Sequence, residues 1–154
     1  MNKIYQSFTG EFFNSLDSKN RLNIPSKLRK ALDPINYDTF VLTKGIDTCL
    51  ILYPLNEWKE VEEQLSKLSS IRSRDRNFVR SITRYAMPLQ YDKQGRIAIP
   101  SALCQYAGIE KEVAIIGVIK KIELWDPKRL DDLERGPAQL DETSFEELAN
   151  EINF

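Results

Sequence analysis

The hydrophobic and polar positions at the start of the chain form short runs that predict strands. Phe8 to Leu16 and Arg21 to Ile24 are strand-like and lie on either side of the polar loop Asp17-Ser-Lys-Asn. We expect a hairpin-like connection at this loop. Asn20 occupies the position that needs a left-handed backbone, which asparagine tolerates.

A short helix and two more strands follow the loop. Pro25 fits the first turn of a helix from Ser26 to Leu32, because its missing N–H has no partner there. The apolar runs Thr39 to Thr43 and Cys49 to Tyr53 predict two strands, separated by a polar turn. The predicted unit is therefore strand, loop, strand, short helix, strand, strand.

The same unit occurs twice in the chain. Asp17 to Leu28 returns 75 residues later as Asp92 to Leu103, with six of twelve positions identical. Val41 to Tyr53 is answered in the same order by Val113 to Trp125. Two ordered matches indicate a duplicated unit of about 45 residues. A unit of that size is near the lower limit for an independent core, so we expect the copies to pair, within the chain or between chains.

Between the copies the apolar spacing becomes helical. Apolar residues recur three and four positions apart at Leu55, Trp58, Val61, Leu65 and Leu68. A second helix from about Ser73 to Tyr85 is rich in arginine, at Arg72, Arg74, Arg76, Arg80 and Arg84. These arginines could bind phosphates, or they could pair with the acids of the first helix and with neighbours, and we favour the pairing.

Charge is distributed unevenly along the chain. The net charge is −1, yet residues 131–154 hold eight acids and one base, whereas residues 1–130 hold 21 bases and 15 acids. A basic body suggests a polyanionic partner, and the acidic tail would solvate or screen it. A tail that serves only solubility is the alternative. No apolar run approaches the length of a membrane span.

The candidate chemistry is confined to the repeated loop. The chain has no histidine, no Gly-rich phosphate loop and no Cys/His cluster, so we expect no enzyme, metal, cofactor or small-molecule substrate. Asp17 could accept backbone N–H groups and orient the loop. Arg21 could offer its planar donors to a phosphate or a guanine. A turn with only an internal ion pair is the alternative.

Five ordered segments of residues 8–130 carry a family resemblance: Phe8-Thr-Gly-Glu, Leu16-Asp-Ser-Lys-Asn-Arg-Leu-Asn-Ile-Pro, Leu52-Tyr-Pro-Leu-Asn-Glu-Trp58, Leu65-Ser-Lys-Leu-Ser-Ser70 and Glu123-Leu-Trp-Asp126. With them the chain resembles the MraZ family of tandem SpoVT/AbrB-like regulators. The resemblance implies an α+β fold of two swapped-hairpin AbrB-like β-α-β halves that form a pseudo-twofold double-ψ-like barrel. A helical hairpin linker and a helical acidic tail would complete it. The implied domains are residues 8–56 and 86–129 for the repeats, 57–85 for the linker and 130–154 for the tail.

The resemblance also implies a function. It implies a cytoplasmic, nucleoid-associated transcription regulator that binds short direct repeats of double-stranded DNA upstream of the division and cell-wall gene cluster. The protein would act as a ring-shaped homo-oligomer, octameric or larger, without a membrane partner. Two other hypotheses stay open. One is an AbrB-type, antitoxin-like module that binds a partner protein, and the other is a structural ring without sequence-specific DNA binding.

Family DNA contacts are attributed to the basic loop of the first half, which here matches Lys19 and Arg21. Lys93 and Arg96 are the candidates in the second copy, although family members do not all use that loop alike. Thr9 stands where some members have arginine, and Lys3 is the candidate that replaces this contact. Asn20 departs from the usual glycine of the family loop.

Overall fold

The computed structural model describes residues 5–137 and 139–152, so the candidate Lys3 lies outside the described residues. The first copy contains β1 (Phe8–Ser15), β2 (Arg21–Asn23), α1 (Ser26–Ala31), a 3-10 turn (Pro34–Asn36), β3 (Thr39–Lys44) and β4 (Leu50–Pro54). The linker contains α2 (Leu55–Ser66) and α3 (Ser73–Thr83). The second copy contains β5 (Met87–Gln90), β6 (Arg96–Ala98), α4 (Ser101–Ala107), β7 (Glu112–Ile119) and β8 (Ile122–Trp125), and α5 (Pro127–Arg135) and α6 (Glu142–Glu151) follow.

The two copies interlock through their strands. Six strands form an antiparallel sheet in the order β1-β7-β8-β4-β3-β5, and β2 pairs with β6 in a separate ladder. The first strand of each copy pairs with a strand of the other copy: β1 pairs with β7, and β5 pairs with β3. The order is unchanged when the copies are exchanged, so the sheet has the pseudo-symmetry of the repeat. The α+β class is confirmed, and closure into a double-ψ-like barrel stays a prediction.

The polar loop turns the chain without forming a hairpin. Asn20 has φ 57° and Gly95 has φ 80°, which confirms the left-handed positions expected in both loops. The hairpin-like connection is wrong, however, because β1 and β2 pair with β7 and β6 rather than with each other. The short strand β2 instead places Leu22 opposite Ile97 of the other copy, and both side chains are buried.

One hydrophobic core is shared by both copies. The side chains that surround the two loops are buried together, from the first copy Leu22, Ile24 and Leu28, and from the second copy Ile97, Ile99 and Leu103. These residues occupy equivalent positions in the two copies and pack in one cluster. Neither copy therefore needs a core of its own. The predicted pairing of the copies therefore occurs within the chain.

The linker forms two helices. Across the described part of the chain, the expected pairing of its arginines with the α2 acids is wrong, whereas pairing with a neighbouring acid occurs once. Among the described residues, the only ion pair of an α3 arginine joins Arg74 Nε to Asp75 Oδ1 at 3.5 Å. Arg76 Nη1 instead donates to the carbonyl oxygen of Ile71 at 2.5 Å, and Arg80 Nη1 donates to Asn77 Oδ1 at 3.0 Å. Arg76 and Arg80 therefore donate to residues that lie close to them in the sequence, and not to the glutamates of α2.

Two capped helices form the C-terminal segment. Asp126 Oδ2 accepts the backbone N–H of Arg129 at 3.2 Å and begins α5. Asp141 Oδ1 accepts the backbone N–H of Ser144 at 2.7 Å and begins α6. These side chains satisfy N–H groups that have no partner inside the helix. None of the residues of α6 is buried against the rest of the chain.

Candidate nucleic-acid interface

The first loop is closed around the carboxylate of Asp17. Its Oδ1 accepts the backbone N–H groups of Lys19 at 2.9 Å and Arg21 at 2.8 Å. Its Oδ2 accepts Arg21 Nε at 2.6 Å. The left-handed conformation of Asn20 brings these donors round to one carboxylate. One edge of the Arg21 guanidinium is therefore fixed by the loop itself.

These hydrogen bonds favour the ionised form of Asp17. They lower the pKa of Asp17 from 3.8 to about 2, and the largest cause is the backbone N–H of Arg21. The Arg21 side chain and the Lys19 N–H add to this effect. The loop therefore holds a carboxylate, and not a carboxylic acid, at neutral pH.

The second loop has the same internal geometry. Asp92 Oδ1 accepts the backbone N–H groups of Gln94 and Arg96, each at 2.9 Å, and Oδ2 accepts Arg96 Nε at 3.0 Å. The backbone N–H of Arg96 is the main cause of a lowered pKa at Asp92. The repeated sequence therefore folds into the same loop twice.

The fold places these two loops side by side. The backbone N–H of Ile24 donates to Gly95 at 2.8 Å, and the N–H of Ile99 donates to Asn20 at 2.9 Å. Asn23 Nδ2 also donates to the carbonyl oxygen of Gln94 at 2.7 Å. Five predicted residues are thereby brought to one surface, namely Asp17, Lys19, Arg21, Lys93 and Arg96, and both lysines are exposed.

The two loop arginines differ in how many of their donors are used. In the part of the chain that is described, neither terminal nitrogen of Arg21 has a hydrogen-bond acceptor. Arg96 donates through Nη2 to Gln94 Oε1, and its Nη1 lies 4.0 Å from Asp17 Oδ2. Arg21 can therefore offer an oriented pair of donors to a ligand, whereas Arg96 is held within the loop pair.

Three basic residues of α1 were missed from the sequence as site candidates. Lys27, Arg29 and Lys30 immediately follow the first loop, and Lys30 is exposed. Arg29 Nε donates to the carbonyl oxygen of Ile24 at 2.8 Å, and its guanidinium lies 5.9 Å from the ring centroid of Tyr91. The equivalent positions in α4 are uncharged: Ala102, Cys104 and Gln105. Aligning the two copies would have revealed this difference, because only the first carries the bases.

Other kinds of site find little support in the described residues. Within residues 5–137 and 139–152, no group of three or more His, Cys, Asp or Glu side chains could hold a metal ion. The longest described helix has 12 residues, and none in that part is long and apolar enough to cross a membrane.

Comparisons with known proteins cover nearly the whole chain. The model of the family described as “MraZ protein, putative antitoxin-like” matches residues 7–81 and again residues 82–152. A protein of Natranaerobius thermophilus named Transcriptional regulator MraZ is 44% identical over 145 residues, which cover 94% of this chain and 96% of that protein. Proteins of the same name from Pediococcus pentosaceus and Clostridium acetobutylicum are 44% and 42% identical. Each alignment covers 96% of this chain, with 98% and 99% of those proteins, respectively.

Proposed function

The chain belongs to the MraZ family, with two tandem family domains, and we propose that it regulates transcription by binding specific sequences of double-stranded DNA. The observation that carries the proposal is Arg21, whose Nε is fixed by Asp17 while its terminal nitrogens have no acceptor in the described residues. A guanidinium oriented in this way fits two acceptors at once, such as guanine O6 and N7 or two phosphate oxygens. The relatives are named as transcriptional regulators, which confirms the expectation that this is not an enzyme.

The surroundings of Arg21 supply the sequence-independent part of binding. Lys19 in the first loop and Lys27 and Lys30 in α1 are exposed and could neutralise phosphates. If one protomer neutralises two or three phosphates, the slope of log affinity against log salt is about −2 to −3. A single protomer would then bind weakly, with Arg21 providing most of the base discrimination.

Self-association would raise this affinity. We propose a ring of eight or more copies that presents identical loop pairs at fixed spacing to short direct repeats. Linked sites of this kind raise the overall affinity roughly 10²–10⁴-fold without new contacts. The proposed target is the region upstream of the division and cell-wall gene cluster, and the proposed location is the nucleoid within the cytoplasm.

Replacement of Arg21 tests the proposed DNA contact. Arg21→Ala should weaken binding of a duplex from upstream of the chain's own gene roughly 10–100-fold, to the level of a scrambled duplex, as measured by gel shift. Size-exclusion chromatography should show an unchanged assembly, because Arg21 lies at the loop surface. Arg135→Ala is the matched control, since this exposed arginine of α5 pairs only with Asp131 among the described residues. Unchanged specific binding by Arg21→Ala would contradict the proposal.

A second candidate is a module that holds a partner protein. The description of the matching family as antitoxin-like is the observation that favours it. A complex with a co-encoded protein that survives high salt, together with weak DNA binding, would support this candidate. Equal binding of promoter and scrambled DNA would instead support a structural ring without sequence specificity.

A further inference from the structure

Helix α6 has an apolar stripe that the rest of the chain leaves uncovered. Phe145, Leu148 and Ile152 recur at helical spacing and are 57%, 50% and 71% exposed. Glu142 and Glu146 lie one turn apart along one border of the stripe. An exposed amphipathic helix with this pattern requires an apolar surface on a partner to bury its stripe.

A groove with the complementary pattern lies between α2 and α3. Its volume is about 420 Å³, and the apolar part of its lining consists of Leu65, Leu68 and Val79. Arg76 and Arg80 also line it and lie one helical turn apart on α3. None of the described residues that line this groove is acidic.

We propose that this groove binds helix α6 of a second copy of the chain. Phe145 and Leu148 would pack against Leu65, Leu68 and Val79. Glu142 and Glu146 would face Arg76 and Arg80. Both charged pairs have the four-residue spacing that brings side chains on one helix face about 5–6 Å apart, so the two contacts can form together.

The charges favour this groove over the larger one on the other side of α2. The larger groove, of about 900 Å³, is lined by two acids and two bases, namely Glu57, Glu60, Lys120 and Lys121, and its lining therefore carries no net charge. The groove with Arg76 and Arg80 has two positive charges and no acid, so it attracts the acids that border the α6 stripe more strongly. The groove with Arg76 and Arg80 therefore fits an acidic helix better, although it is smaller.

The inference rests on the self-association in the proposed function and names one pair of surfaces that would produce it. Docking between copies would also explain why the tail is acidic while α3 is rich in arginine, because the two would be in contact. Nucleic acid is the competing occupant of the groove lined by Arg76 and Arg80. Measuring both assembly and DNA binding on the same variants distinguishes nucleic acid from helix α6.

Charge reversal of each surface is the first test. Glu146→Arg and Arg80→Glu should each raise the concentration at half-assembly about threefold to fivefold, as followed by light scattering over a dilution series. The double variant should return to within about twofold of the parent, because the ion pair is rebuilt in the reverse sense. Asn150→Arg is the control, since the exposed Asn150 lies on the face of α6 opposite the stripe.

Failure of the double variant to recover assembly would overturn the inference. So would an Arg80→Glu variant that assembles normally but loses DNA binding, because the groove would then serve nucleic acid. If the charge variants behave as expected while Arg21→Ala still binds the promoter duplex, the docking stands and the proposed DNA contact fails. The two proposals are thus tested separately.

Cross-linking is a second test that does not depend on charge. A ¹⁵N-labelled Leu68→Cys chain is mixed with an unlabelled Leu148→Cys chain and oxidised, and disulfide-linked peptides are identified by mass spectrometry. The natural residues Cys49 and Cys104 are buried and should not interfere. Links between labelled and unlabelled chains should exceed those of an Asn150→Cys control at least fivefold, because Asn150 lies on the opposite face of α6. Equal yields from Leu148→Cys and Asn150→Cys would overturn docking between copies.

Discussion

The first and second Asp-x-x-x-Arg loops have the same backbone and different surroundings. In both, one aspartate accepts two backbone N–H groups and the Nε of its arginine. The first loop leads into a helix with three bases, whereas the helix after the second loop has none. Arg96 also donates to Gln94 and lies within ion-pair distance of Asp17, but the terminal nitrogens of Arg21 have no acceptor in the described residues.

This difference shows how a duplicated unit can divide its roles. The aspartate and the left-handed residue are needed in both copies to close the loop. Donors that are not used for folding remain available for a ligand, and those are concentrated in the first copy. The second loop also supports the first copy, because the carbonyl oxygen of Gln94 accepts a hydrogen bond from the side chain of Asn23 in β2. Variants at equivalent positions of the two copies test whether the loops divide their roles in this way.

The largest expected difference is between the two arginines. Arg21→Ala should weaken binding of the promoter duplex roughly 10–100-fold, because an oriented pair of donors is lost at the DNA. Arg96→Ala should weaken it less than threefold but lower the free energy of unfolding by about 1 kcal/mol, since its hydrogen bonds are within the fold. Fluorescence anisotropy and urea denaturation on both variants measure the two effects. Equal losses of DNA binding would show that both loops contact DNA.

The second-largest expected difference concerns stability after replacement of Asn20 or Gly95, the residues with a left-handed backbone in the two loops. Gly95→Ala should lower the free energy of unfolding by about 2 kcal/mol, because alanine is strained at φ 80° and displaces Arg29 from Ile24. An added Cβ would lie 2.5 Å from Arg29 Nε. Asn20→Gly, which gives the first loop the glycine of the second, should alter stability by less than about 0.5 kcal/mol. Urea denaturation of both variants is the measurement, and an unaffected Gly95→Ala protein would refute the supporting role of the second loop.

The carboxylate of Asp17 should make the first loop sensitive to acid. Its pKa is about 2 in the fold against an ordinary 3.8, so its contribution to stability is complete above pH 3.8 and is lost as the pH falls through about 2. The difference in unfolding free energy between the parent and Asp17→Asn should therefore be largest at pH 5–6 and shrink towards pH 2. Chemical denaturation at several pH values checks this. A Glu147→Gln variant serves as the control, and a difference that is independent of pH would contradict the prediction.

The smallest effect concerns the helices that follow the loops. Lys30→Gln gives α1 the residue found at the equivalent position of α4, Gln105. It should reduce the slope of log affinity against log salt by about 1 and weaken binding uniformly across sequences. Gln105→Lys is the reciprocal variant, and its slope should match that of the parent. A steeper slope for Gln105→Lys would show that α4 also faces DNA.

Much of the local structure could be predicted from the sequence. Apolar runs identified the strands β3 and β4, and the helical spacing identified α2 and α3. The loop geometry was also predictable, because every hydrogen bond that closes it joins residues at most four positions apart. The same argument explains Asn20 and Gly95, whose φ values follow from the turn alone.

Contacts between distant segments could not be predicted in the same way. The sequence suggested a hairpin at the first loop, yet β1 and β2 each pair with a strand of the second copy. It also suggested that the α3 arginines pair with α2, whereas Arg76 and Arg80 have nearer acceptors. In both cases the choice lies between partners of similar chemistry, and the packing of the whole chain selects one of them.

By itself, the sequence determined that this protein has two copies of one loop, each with an aspartate that orients an arginine. The tertiary structure alone decided that the copies exchange strands and thereby place the loops next to each other. The physical reason is the range of the interactions. Hydrogen bonds within a loop depend on a few neighbouring residues, whereas the pairing of the two copies depends on burying Leu22 against Ile97, 75 positions away along the chain.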